Sequence, residues 1–237
     1  MNSSPSKPLN NGLLASLPSA DFNAIQKHLS LVALERGIQL LAPGDEVDTV
    51  FFPVSGMLSL LVLMGDGRAI ETATVGREGA VGAMAGLGLY VSRVKVVVQL
   101  PTTLARIPAS QFRKAVAASA VLRELCYGYN EQLLTQARIT AACNALHQVD
   151  ARFCRWLLQT ADRAESDVMA LTQELLSQML GVRRTSVTDV AGKLQAEGVI
   201  SYSRGIIRIL DRAGLEARSC ECYQAMTHEF SASPLRG

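Results

Sequence analysis

The chain has 237 residues, 49% of them hydrophobic and 19% charged, which excludes global disorder and is enough for one large domain or two ordinary ones. The formal net charge of +2 confers no general attraction to polyanions, so any basic surface has to be local. Five cysteines (126, 143, 154, 220 and 222) are odd in number and absent from the first half, which fits free thiols in a reducing compartment rather than a disulfide framework.

In chain order, Met1 to Asn11 is polar, rich in Ser, Pro and Asn, and lacks the apolar region of a signal peptide; residues 1–12 are expected to be a disordered tail. From Leu31 to Ile107, Val-, Leu- and Thr-rich runs follow one another closely: Thr49–Phe52, Met57–Met64, Ala69–Thr74, Val94–Leu100 and Thr103–Ile107. Pro43-Gly44-Asp45, Ser55-Gly56, Gly65-Asp66-Gly67 and Gly76 punctuate them, and many short strands so spaced predict a β-sandwich or barrel. The longest apolar run, Met57–Met64, is interrupted by Ser59 and falls far below the roughly 20 residues of a membrane span, so a soluble, cytoplasmic protein with no membrane partner is expected.

Glycine then nearly vanishes. Leu122, Leu125, Tyr129 and Leu133 recur at helical steps, predicting a helix over 119–146, roughly 40 Å long at 1.5 Å per residue. Such a helix would leave that stripe wet unless a twin covered it, so the four residues are expected to form a dimer seam. A further helix carries Val149, Phe153, Trp156 and Leu157.

Leu171, Leu175, Leu176, Met179 and Leu180 mark a short helix with Thr172 as N-cap, ended by Gly181. Val187, Val190 and Leu194 mark a second. Val199–Tyr202 and Ile206–Leu210 form a hairpin through Arg204-Gly205, and Asp211 caps a last helix. Helix, glycine turn, helix and hairpin is the layout of a winged helix-turn-helix. Arg183 and Arg184 open the second helix, where a cation opposes the helix dipole and an approaching polyanion reverses the sign. Between 183 and 208 there are five basic residues (183, 184, 193, 204, 208) against two acids (189, 197). The candidate DNA contacts are Thr172, Gln173, Arg183, Arg184, Thr185, Ser186, Thr188, Asp189, Lys193 and Arg204.

The stretch Leu171 to Thr188 resembles the helix-turn-helix of the Crp/Fnr family, relatives of the cyclic-AMP receptor protein. Pro43-Gly44 followed by Val50 to Gly56 resembles that family's β-roll, and Glu78-Gly79-Ala80-Val81-Gly82 its cyclic-nucleotide cassette. The resemblance implies an α+β chain: a cyclic-nucleotide-binding-like β-roll (a jelly roll) over 13–118, a dimerisation helix over 119–146 and a winged helix-turn-helix over 147–237. It also implies that Arg184, Thr185 and Asp189 read base edges. Thr185 replaces the family's usual Glu and Asp189 stands where the cyclic-AMP receptor has Arg, so the operator does not carry over.

For an effector, Gly79, Gly82, Ala83, Arg93, Val94 and Lys95 are the candidate pocket, since glycine amides and a guanidinium cradle phosphates. The same glycines also serve the tight corners of a β-roll, and that reading is preferred. The family's nucleotide binders carry a ribose-binding Glu where Ala83 stands, and Ser or Thr then Ala where Val94 and Lys95 stand. Cyclic AMP is therefore not expected as the effector.

Cys220 and Cys222 are read as pointing apart on one helix, and His28, His147 and His228 as isolated, so no metal ligand or cofactor is assigned. No nucleophile–base pair or phosphate-binding loop motif is present, and no enzyme is expected. The expectation is a homodimeric regulator that binds double-stranded DNA at an inverted repeat through 183–196, answers an unknown small molecule, and meets RNA polymerase if it activates. The alternatives are a true cyclic-nucleotide or cyclic-dinucleotide receptor, and a β-roll ligand- or protein-binding module without DNA binding.

Overall fold

Asn11 is tied deeply into the fold. Its amide nitrogen donates to the Pro53 carbonyl at 2.8 Å and to the Gly79 carbonyl at 2.9 Å, and its Oδ1 accepts from Leu14 N at 3.1 Å. The computed structural model describes residues 9–231, with the backbone alone at 228–231. Of the tail expected over 1–12, residues 1–8 lie outside the described residues, as does the side chain of His228. Asn11 contradicts the rest, because it is buried and caps helix α1 (Gly12–Ala15). A second short helix, α2 (Ser19–Gln26), follows.

The strands are β1 (Ser30–Leu34), β2 (Gln39–Leu41), β3 (Thr49–Pro53), β4 (Met57–Leu63), β5 (Ala69–Val75), β6 (Lys95–Leu100) and β7 (Thr102–Pro108), with a 3-10 turn over Ala83–Leu87. They form two sheets, ordered β1-β7-β3 and β2-β6-β4-β5, in which β7 pairs antiparallel with β1 and β3, and β2 with β6. In the first, Leu31 faces Ala105 and Phe51 faces Arg106. Gly56 has φ +71°, and a Cβ there would lie 2.3 Å from the Pro101 carbonyl, so only glycine fits. Helix α3 (Ala109–Ala118) brings Phe112 against Phe52, edge to face at 5.9 Å between ring centres.

Helix α4 (Ala120–Leu146) follows Ser119, whose hydroxyl accepts from Leu122 N at 3.1 Å. Its stripe is not what the periodicity suggested. Leu122, Leu125 and Tyr129 are only 2%, 3% and 1% exposed, because the protomer's own Leu13, Leu14, Phe52 and Phe112 surround them. Leu133 is half-buried. A dimer seam along Leu122, Leu125 and Tyr129 would require pulling them out of their own core, so the assignment is corrected for those three.

The second half continues with α5 (Val149–Ala164), β8 (Val168–Ala170), α6 (Gln173–Leu180), α7 (Arg184–Ala196), β9 (Ile200–Ser203), β10 (Ile206–Ile209), α8 (Arg212–Arg218) and α9 (Cys222–Ser231). Strand β8, unmarked by any pattern in its three residues, pairs with β10 and makes the hairpin a three-stranded sheet, β8-β10-β9. The chain divides into two units. One runs to Leu58 and resumes over Val75–Glu131; the other holds Ser59–Thr74 and the described residues from Gln132 to Ser231. In the second, α5 is buried almost all round, with Phe153, Trp156 and Leu157 at its centre. Glu71 accepts from the Trp156 indole at 2.7 Å and from the Ser59 hydroxyl at 2.5 Å. Burial raises its carboxyl above the usual carboxylate range, against the pull of those hydrogen bonds and of Arg155 and Arg163. No helix of the described residues is long and apolar enough to cross a membrane.

Candidate nucleic-acid interface and effector crevice

Thr172 caps α6, its hydroxyl accepting from Leu175 N at 3.2 Å. Gly181 ends α6 at φ +64°, and its N–H reaches the Ser177 and Gln178 carbonyls. The next helix, α7, buries Val187, Val190, Ala191 and Leu194. At about 3.6 residues per turn, the side opposite that stripe carries Thr185, Asp189, Gly192 and Ala196. Thr185, Asp189, Gly192 and Ala196 are all exposed. Arg184, Thr188 and Gln195 flank this outer face on one side, Ser186 and Lys193 on the other.

The first flank is organised. Arg184 Nε donates to Gln173 Oε1 at 3.3 Å, and the Thr188 hydroxyl donates to the Arg184 carbonyl at 3.1 Å. Gln195 Oε1 accepts from Tyr202 N at 2.8 Å, and the Tyr202 hydroxyl donates to the Leu171 carbonyl at 2.9 Å, fixing the wing to both helices. The hairpin turn places Arg204 at φ +51° and Gly205 at φ +75°. Arg204 thus holds a left-handed conformation that Asn or Gly takes at lower cost. A cleft of about 390 Å³ gathers Thr172, Gln173, Glu174, Arg184, Tyr202 and Arg204. Among the described residues, no carboxylate lies in ion-pair reach of Arg183, Arg184, Arg204 or Arg208. Arg183 lies just before α7 and caps nothing with its side chain. Backbone amides and these guanidiniums together suit phosphate oxygens.

Lys193 departs from the expected set. Its Nζ pairs with Asp150 Oδ2 of α5 at 3.0 Å, and it lines a different cleft with Cys154, Glu197 and Arg218. The proximity of Asp150 raises its pKa. It ties α7 to α5 by an exposed pair. Sequence reasoning missed Tyr202 and Gln195, although an aromatic residue at the wing and an amide in the last turn of the helix were visible.

The effector candidates are not drawn into one pocket. Gly79 has the Tyr129 ring against it, and a Cβ there would fall 1.9 Å from the hydroxyl. Gly82, at φ +84°, is pressed by Val47 and the Thr49 carbonyl. Ala83 lines an apolar crevice with Leu13, Phe52, Phe112 and Tyr129 whose free volume is about 10 Å³, the space of one water at most. Arg93 is exposed on a turn closed by Ser92, whose hydroxyl donates to the Val94 carbonyl at 2.8 Å; Val94 and Lys95 are half-buried.

The sequence profile of the Crp-like helix-turn-helix domain matches residues 151–218, and that of the cyclic nucleotide-binding domain matches residues 31–119. The chain belongs to the Crp/Fnr family of transcriptional regulators. A Crp/Fnr-family transcriptional regulator from Eubacterium rectale superposes with a TM-score of 0.69 at 21% identity, covering 87% of this chain and 96% of that one. FixK2 from Bradyrhizobium japonicum gives 0.68 at 16% identity, over 81% of this chain and 98% of its own. The c-di-GMP responsive global regulator CLP of Xanthomonas campestris gives 0.65 at 19% identity, over 81% and 99%. No curated protein matches in sequence. As a Crp/Fnr regulator the chain is a DNA-binding protein and not an enzyme.

Proposed function

We propose that this Crp/Fnr regulator acts as a homodimer that reads an inverted-repeat operator with α7, in the cytoplasm, and that neither cyclic AMP nor cyclic GMP is its effector. The observation that carries the reading is the outer side of α7, where Thr185 and Asp189 stand exposed beside Arg184, with Arg204 across the cleft and, among the described residues, no carboxylate in ion-pair reach of either arginine. Arg184 reads a base edge, Thr185 and Asp189 make the adjoining base contacts, and Arg183, Arg204 and the Thr172–Gln173 start of α6 hold phosphates. A partner polymerase follows if the protein activates.

The dimer seam belongs on the other side of α4. Glu124, Tyr127, Glu131, Leu134, Arg138, Ala141 and Ala145 are all exposed, and they follow one another at alternating steps of three and four. Tyr127 is 60% exposed and Leu134 41%, large apolar surface for the middle of a helix facing water. Tyr127→Glu with Leu134→Glu is expected to give a folded monomer by sedimentation that loses full-operator binding. Leu125→Asp is expected to unfold the N-terminal unit instead. A Tyr127/Leu134 variant that remains dimeric would contradict this seam.

A further inference from the structure

Four side chains far apart in sequence converge in the second unit: Cys143 and His147 at the end of α4, Cys220 in the turn after α8, and Cys222 at the start of α9. They are not the isolated groups that sequence spacing implied. Cys220 and Cys222 do not share a helix, so their alternate directions do not separate them. Cys143 and His147 are four apart at a helix end and face the same way. One ligand atom from each lies within 4.8 Å of every other, the group of that kind found among the described residues.

We propose that Cys143, His147, Cys220 and Cys222 form a mononuclear metal site, and that its ion is Zn2+. Tetrahedral zinc with Zn–S of about 2.3 Å and Zn–N of about 2.0–2.1 Å holds its sulfurs about 3.8 Å apart and sulfur from nitrogen by about 3.6 Å. Here Cys143 Sγ and Cys220 Sγ are 3.5 Å apart, and Cys222 Sγ and His147 Nδ1 are 3.6 Å apart. Three sulfurs and one imidazole are a closed structural set for zinc, with no position left for a catalytic water. An iron–sulfur cluster spreads its ligands over several irons and needs a wider ring of donors than this one.

The surroundings fit an ion. His147 turns Nδ1 to the sulfurs and its Nε2 to Glu221 Oε1 at 3.1 Å, the carboxylate that orients a metal-bound imidazole. Three thiolates and one Zn2+ leave a net negative charge, and the buried Arg152 and Arg155 of α5 stand near enough to act on Cys143 electrostatically. The sulfurs are buried, whereas the His147 side chain is 23% exposed and gives the ion a way in. Binding forms three Zn–S bonds and one Zn–N bond, and the protons of the three thiols pass to solvent. The site clips α9 to the end of α4. Cys126 and Cys154 are solitary, their thiols pushed up to about 12 by burial, and serve as controls.

The test uses the full chain purified without added metal or chelator, with zinc measured per protomer, and the stripped, fully reduced protein titrated with Co2+. One zinc per protomer and a thiolate-to-cobalt charge-transfer band with tetrahedral visible absorption are expected. Cys143→Ser and Cys222→Ser should lose both, and Cys126→Ser and Cys154→Ser should keep both. Reduced wild-type protein that holds no zinc and gives no cobalt band overturns the proposal. So does protein isolated anaerobically with Cys143 and Cys220 joined, seen as a mass two hydrogens lighter. The wild-type cobalt readout stands even where a variant fails to fold.

Discussion

The outer side of α7 and the crevice at Ala83 differ in what occupies the space beside them. Beside α7 there are polar and charged groups, with arginines that no carboxylate reaches among the described residues, small residues at Gly192 and Ala196, and an open cleft of about 390 Å³. At Ala83 the protein's own Phe112, Leu125 and Tyr129 leave about 10 Å³. Arginines gathered at an open surface free of internal ion pairs are available to a polyanion. A crevice filled by its own side chains implies that the nearby glycines serve packing.

The largest effect that would break this comparison is expected at Gly79. If it is a packing glycine, Gly79→Ala drives a methyl into the Tyr129 hydroxyl and lowers stability by about 1–3 kcal/mol. Tyr129→Phe in the same chain should recover part of the loss, because it removes the nearest atom. If Gly79 instead cradles a ligand, Gly79→Ala leaves denaturant unfolding unchanged, and the crevice has been misread.

That outcome was only partly legible in the sequence. The helix-turn-helix was, because Thr172, Gly181 and the Arg204-Gly205 turn are local chemistry, each fixing its own backbone. The stripe of Leu122, Leu125 and Tyr129 was legible as buried, but a period of three and four says that a face is covered and not by what. The same limit explains Lys193, whose partner Asp150 lies on another helix, and the Cys143–His147–Cys220–Cys222 group, which only the tertiary fold assembles. Helix α1 was missed because Asn11, its cap, sits in a polar stretch whose composition outweighed one turn of chain.

A smaller contrast sharpens the interface itself. Arg204→Asn should relieve the left-handed backbone, weaken binding to all duplexes alike, and reduce the salt slope by about one phosphate contact. Lys193→Ala should change neither affinity nor salt slope, and stability little, since the Asp150 pair is exposed. Filter binding across a salt series separates the two. Equal slopes for Arg204→Asn and the unaltered protein would remove Arg204 from the phosphate contacts.

The central claim, that α7 reads sequence through Arg184, is tested most directly by selecting bound duplexes from a random pool with the unaltered protein and with Arg184→Ala side by side. The unaltered protein should return a two-fold symmetric motif whose half-sites lie about one helical turn, ~34 Å, apart. Arg184→Ala should return the same motif with one symmetric base position relaxed, at a cost of about 1–3 kcal/mol on the original site. No enriched motif from the unaltered protein, or an identical motif from both, would contradict it.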